Sequence, residues 1–169
     1  MPEFSASDQC WMRHAMALAD RAQAEGEVPV GAVVVHRDRI IGQGWNRTIG
    51  LNDPSAHAEI LALRSAGQSL KNYRLPACVL YVTLEPCCMC AGAMIHARIE
   101  RLVFGAADPK TGAAGGRFTL LNDVDHNHRI ALSGGCLGGE CGKQLQAFFQ
   151  QRRREQARAC SRVPEDSLP

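Results

Sequence analysis

One imidazole, two thiols and a spare carboxyl are spaced along this chain as a catalytic metal site requires. His57, in His57-Ala58-Glu59, and the pair Cys87 and Cys90, in Pro86-Cys87-Cys88-Met89-Cys90, offer three ligands for one Zn2+ per chain. Structural zinc sites are closed by four protein ligands, whereas three leave one tetrahedral position open for water. Zinc lowers the pKa of such a water to about 7, which makes a hydroxide nucleophile available at neutral pH. Glu59 is not needed as a ligand and is left with the work of a proton shuttle. The expectation is an enzyme.

Spacing supports part of this geometry. Three residues on a helix turn through about 300°, so Cys87 and Cys90 fall within about 60° of one face and can share an ion. Pro86 suits the start of that helix, where its missing N–H costs nothing. The partial positive charge of a helix N-terminus favours thiolate over thiol. Cys88 is rotated away from both and is expected to be a small core hydrophobe. His57 and Glu59 are less determined, because two residues apart on a regular helix point to nearly opposite sides. Spacing alone does not carry Glu59 to the zinc water. A redox Cys-x-x-Cys pair would have no use for the upstream His-Ala-Glu. A closed structural site would need a fourth ligand that does not stand beside the three.

The elements that must position these residues follow from periodicity and punctuation. Ser7 or Asp8 caps a first helix in which Trp11, Ala15, Leu18 and Ala22 recur at helical spacing, ending near Gly26. Val30 to Val35 and Ile40 to Trp45 read as a hairpin about a polar His36-Arg37-Asp38-Arg39 turn. A helix is expected over His57 to Ala66, a buried strand over Cys78 to Leu84, a helix over Cys87 to Arg98 and a strand over Arg101 to Ala106. Strand–helix alternation there implies crossover connections and parallel pairing. Asp108 to His128 reads as loop. Its Thr111-Gly112-Ala113-Ala114-Gly115-Gly116 lacks the Gly-Lys-Ser/Thr of a phosphate-binding loop, which excludes a nucleotide triphosphatase. Arg129 to Leu132 reads as a short last strand, and Gly142 to Ala159 as a terminal helix.

The chain has 169 residues, a formal net charge of +2 and eight cysteines. That length fits one domain, taken as residues 1–160, with a polar tail over 161–169 that is expected to be disordered. No apolar run approaches the roughly 20 residues of a membrane span, and Met1 to Cys10 lacks the plan of a signal peptide. Cysteines without a secretory signal read as reduced thiols and metal ligands in a cytoplasmic protein. Arg152-Arg153-Arg154 with Arg158 forms a basic run, and Lys71, Arg74 and Lys110 lie in loops near the motifs; any one cluster reads as a solvated face, and together beside the metal site they favour a polyanionic substrate. His126 and His128 are expected to face solvent. Cys136 and Cys141 are read as buried rather than as a second zinc site.

The His-x-Glu and Pro-Cys-x-x-Cys pair is the signature of zinc-dependent nucleobase deaminases. With Val28-Pro29-Val30-Gly31-Ala32-Val33, Gly44-Trp45-Asn46-Arg47, Asn72-Tyr73-Arg74-Leu75, Tyr81-Val82-Thr83-Leu84-Glu85 and Lys110-Thr111-Gly112-Ala113-Ala114-Gly115, the chain resembles the bacterial tRNA-specific adenosine deaminases, the TadA type, of the cytidine deaminase-like superfamily. The match runs from about residue 10 to residue 155 and departs between Gly116 and His126. The resemblance implies an α/β, three-layer cytidine deaminase-like fold with a five-stranded mixed sheet flanked by helices. It implies a homodimer, zinc at two helix N-termini, and conversion of the wobble adenosine of a tRNA anticodon stem-loop to inosine. It also implies that Glu59 is catalytic, that Asn46 binds the flipped base and that Asp108, Lys110 and Asn127 approach the RNA. Read without the family, Asn46 is a turn residue and Asp108 a loop cap. The alternatives are a deaminase of free bases or nucleosides, and a non-catalytic zinc-stabilised RNA-binding module that would gain nothing from Glu59.

Overall fold

The computed structural model describes residues 4–122 and 126–160. In chain order the elements are α1 (Ala6–Ala24), β1 (Gly31–His36), β2 (Arg39–Trp45), α2 (Ala58–Leu70), β3 (Cys78–Leu84), α3 (Cys88–Ala97), β4 (Arg101–Ala106), a 3-10 turn (Leu120–Asn122), β5 (Ala131–Gly134) and α4 (Gly138–Cys160). The five strands form one sheet in the order β2-β1-β3-β4-β5. β1 is antiparallel to β2 and β3, while β3, β4 and β5 run parallel, so the sheet is mixed as expected. The tail over 161–169 lies outside the described residues.

Alternation along the strands divides the core into two layers. Ala32 and Val34 of β1, Leu80 and Val82 of β3, and Leu102 and Phe104 of β4 face α2 and α3, packing with Ile60, Leu63 and Met94. Val33, Val35, Tyr81 and Val103 face the other way, toward Met12 and Ala15 of α1 and toward Cys136 and Cys141. A strand covered on both faces reads as a continuous apolar run, which is why β1 and β3 were legible. The small residues of β2 let α2 come close: a Cβ added at Gly42 or Gly44 would run into the α2 backbone at Ala62 or Ala58. That contact fixes the height of α2, and with it the height of His57.

Several boundaries differ from the sequence reading. Ser5, not Ser7 or Asp8, caps α1; Asp8 sits at the third helical position and completes a capping box with it. Asp8 has a second task. Its buried carboxylate accepts from Tyr81 Oη at 2.9 Å and from Arg101 Nη1 at 2.9 Å, tying α1 to β3 and β4. The hairpin turn narrows to Arg37 and Asp38, both at positive φ, as a two-residue primed turn requires. β5 starts two residues later than expected, and α4 starts four residues earlier than expected.

Candidate active site

The N-termini of α2 and α3 meet, bringing His57, Cys87 and Cys90 together. His57 is the N-cap of α2, with extended backbone (φ −74°, ψ 153°), and Cys87 is the N-cap of α3 (φ −75°, ψ 172°). Neither side chain caps its own helix, so both are left to point at a common centre. Pro86 therefore precedes the cap of α3 instead of occupying its first turn. Cys90, one turn inside α3, is fully buried. Cys88 is exposed, contrary to its expected burial, because with Cys87 outside the helix it falls on the solvent side of the first turn.

The three ligand atoms fit zinc. Cys87 Sγ lies 3.7 Å and Cys90 Sγ 3.6 Å from His57 Nδ1. Tetrahedral bonds of about 2.3 Å to sulfur and about 2.0–2.1 Å to nitrogen place neighbouring ligands roughly 3.6 Å apart. Among the described residues His57, Cys87 and Cys90 are the group of His, Cys, Asp and Glu whose ligand atoms cluster, all within 4.8 Å of one another. Hydrogen bonds from Cys90 and then from His57 pull the Cys87 thiol down to about 3. That thiolate in turn pushes the His57 imidazole up. A sulfur already anionic before metal arrives is a strong ligand.

Glu59 reaches this centre because His57 lies outside the helix while Glu59 lies inside its first turn. Their opposed directions on a regular helix do not apply. The Glu59 carboxyl is 4 % exposed and shares a hydrogen bond with the Cys90 thiol. Burial pushes its pKa up from the ordinary carboxyl value.

Asn46 stands directly after β2. Its Oδ1 accepts from Ala58 N–H at 3.0 Å and so supplies the cap that His57 does not. With its acceptor committed, its amide NH2 is the group left to donate. Asp108 forms a tight turn, accepting from Lys110 N–H at 2.8 Å and from Thr111 Oγ1 at 2.6 Å. Partial burial pushes its carboxyl up, but the Thr111 hydroxyl and the two backbone N–H groups hold it below its ordinary value. Asp108 and Lys110 line a cleft of about 600 Å3 that also holds Leu84 and Phe149. Asn127 lines a different cleft of about 500 Å3, and its Oδ1 accepts from Arg98 at 2.9 Å. The four expected substrate contacts are thus not gathered in one cleft.

Two buried carboxylates escaped the sequence reading. Glu27 accepts from Thr48 Oγ1 and from the N–H groups of Ile49 and Gly50, holding the loop after Asn46. Glu85 holds the loop 108–116 in the same manner. The available signal was an acidic residue at each end of an otherwise apolar strand region. His128 is not solvent-facing either: its Nε2 donates to the Ile99 carbonyl at 2.7 Å. His126 is half-buried. Cys136 and Cys141 are buried in the α1-side core, where burial raises both thiols to about 11.

Comparison with known proteins agrees with this geometry. Residues 5–106 match the model of the cytidine and deoxycytidylate deaminase zinc-binding region. The chain belongs to this family of zinc-binding deaminases. It is 56 % identical over 149 residues to a tRNA-specific adenosine deaminase of Haemophilus influenzae, covering 88 % of this chain and 86 % of that one. A solved structure from work on A-to-I editing by tRNA:A34 deaminases at the wobble position of transfer RNA superposes with a TM-score of 0.78 at 43 % identity, over 80 % of this deaminase and 99 % of that chain. A guanine deaminase from Nitrosomonas europaea superposes with a TM-score of 0.75 at 27 % identity, over 88 % and 87 %. No helix among the described residues is long and apolar enough to cross a membrane.

Proposed function

We propose that this deaminase converts adenosine to inosine at the wobble position of a tRNA anticodon stem-loop, an arginine tRNA in the first instance. The observation that carries the reading is Glu59, buried against Cys90 beside three convergent zinc ligands, in a chain so similar to a tRNA-specific adenosine deaminase. His57, Cys87 and Cys90 would hold the zinc, which would supply activation of water at neutral pH. Glu59 takes a proton from the attacking water and delivers it to purine N1, relieving the charge that builds as C6 is attacked. It then takes the remaining proton from the hydroxyl now on C6 and gives it to the exocyclic amine; the C6–N bond breaks, ammonia leaves and C6=O forms, giving inosine. Asn46 donates its amide N–H to the base, and Asp108, Lys110 and Asn127 contact the RNA around it. The target base must leave its stack to enter such a site, which a single-stranded loop makes cheaper than a duplex does.

The functional unit is a homodimer working in the cytoplasm. An apolar cleft of about 760 Å3 between α2 and α3, with Ile60, Leu63, Met89 and Ala93 along it, supports a second copy docking there. The second reading, a deaminase of a free purine, draws on the guanine deaminase likeness at 27 % identity. One assay separates them. Purified protein incubated with an arginine tRNA bearing a wobble adenosine yields inosine, while free adenosine, guanine and cytidine are left intact; turnover of a free base with intact tRNA adenosine reverses the assignment.

A further inference from the structure

The glycine-rich run that carries no nucleotide triphosphate does cradle an anion, and the anion is internal. Glu85 is 3 % exposed and takes no part in the chemistry above. Its Oε2 accepts from Asp108 N–H at 2.9 Å; its Oε1 accepts from Ala114 N–H at 2.9 Å and Gly116 N–H at 2.8 Å. Three backbone N–H groups from the two ends of the loop thus converge on one carboxylate and replace the water it has lost. A Cβ at Gly112 or Gly116 would occupy the space of the Glu85 carboxyl, so both positions need glycine for close approach. The cradle is also fastened to the metal-ligand turn. Ala113 N–H donates to the Pro86 carbonyl at 2.8 Å, and Gly112 bridges to Cys87.

We infer that Glu85 is a positioning residue of the deaminase site: by gathering N–H groups from both ends of the loop, it folds 108–116 onto the Cys87 turn and sets Asp108 and Lys110 at the substrate edge. N–H bonds to a carboxylate are roughly twice as strong as those to a neutral acceptor, so the charge does work that size alone does not. The substrate arm of the test rests on the tRNA reading; the loop arm does not.

Glu85→Gln keeps the shape but leaves one edge of the cradle facing an NH2 group, whichever way the amide turns. Trypsin cleavage after Lys110 and Arg117 is expected to accelerate at least about tenfold in this variant, as the loop opens locally. KM for a tRNA stem-loop is expected to rise about tenfold with kcat within about threefold, the mark of weakened binding rather than impaired chemistry. Zinc content stays as in the parent. Unchanged cleavage and unchanged KM overturn the inference; so does a fall in kcat at constant KM, which would put Glu85 in the chemistry, or a joint loss of zinc and fold. Should Glu85→Gln fail to fold, Gly116→Ala, which crowds the same carboxylate from the loop side, is read by the same three measurements. If the parent protein makes no inosine, the tRNA reading falls, while trypsin cleavage and zinc content still decide the role of Glu85.

Discussion

A side chain's partners here are set by whether its residue lies just inside or just outside a helix. His57 and Glu59 serve one centre because the backbone is extended at the first and helical at the second. Cys87 and Cys90 repeat the arrangement on α3. This division of ligand from non-ligand predicts two distinct failures. Glu59→Ala keeps zinc but lowers inosine formation by at least about 10²–10⁴-fold, since a positioned acid–base group contributes that much per step and Glu59 acts at more than one. Cys87→Ala loses metal and fold stability together, because metal binding is coupled to folding. Zinc content and inosine yield, measured side by side for both variants, check the pair. Substantial inosine from Glu59→Ala would remove the catalytic assignment.

At the scale of elements, the site is held by two clamps on opposite faces of the sheet. α2 rides on Gly42 and Gly44 of β2, while α1 is locked through Asp8 to Tyr81 and Arg101. Burial pushes the Asp8 carboxyl up, but hydrogen bonds from Arg101, Tyr81 and Ser5 outweigh it and leave its pKa below 3.8. A carboxyl with a depressed folded pKa contributes stability that is complete above the unfolded value and fades as pH falls through the folded one. The parent protein is therefore expected to lose thermal stability more steeply below about pH 4 than Asp8→Asn, which starts lower at pH 7 because Arg101 is left without its anion. Melting temperatures from pH 2.5 to pH 7 check this, and parallel curves for the two proteins would refute it.

At the scale of the whole molecule, the basic face of α4 and the cleft between α2 and α3 bear on association with RNA and with a second copy. Arg152 is turned back along α4, its guanidinium 5.6 Å over the Phe148 ring and 3.5 Å from the Gly26 carbonyl. Arg153 and Arg154 are exposed on the same helix. Neutralising Arg153 and Arg154 together is expected to weaken tRNA binding and flatten the log–log salt slope by about 0.7 for each phosphate that no longer meets a cation. Affinity measured from low to moderate salt decides it; an unchanged slope makes them a solvated helix face. Sedimentation at micromolar concentration is expected to give twice the chain mass, and Met89→Lys, in the apolar cleft between α2 and α3, to shift the population toward monomer. A parent protein that is fully active as a monomer would exclude the dimer.

The primary sequence carried the zinc-ligand set and most of the fold. Ligand identity resides in residue type, and strands buried on both faces declare themselves as apolar runs, so β3 and β4 match at both ends. It could not orient Glu59, because a helix boundary one residue away from its expected place reverses where a side chain points. It misplaced Cys88 and Pro86 for the same reason. The anchoring roles of Asp8, Glu27 and Glu85 were beyond it, since each carboxylate bonds groups distant in the chain, as Asp8 does with Arg101. A buried charge and an exposed one have the same letter. Only tertiary packing decides which carboxylates lose water, and those that do must gather N–H groups or cations in its place.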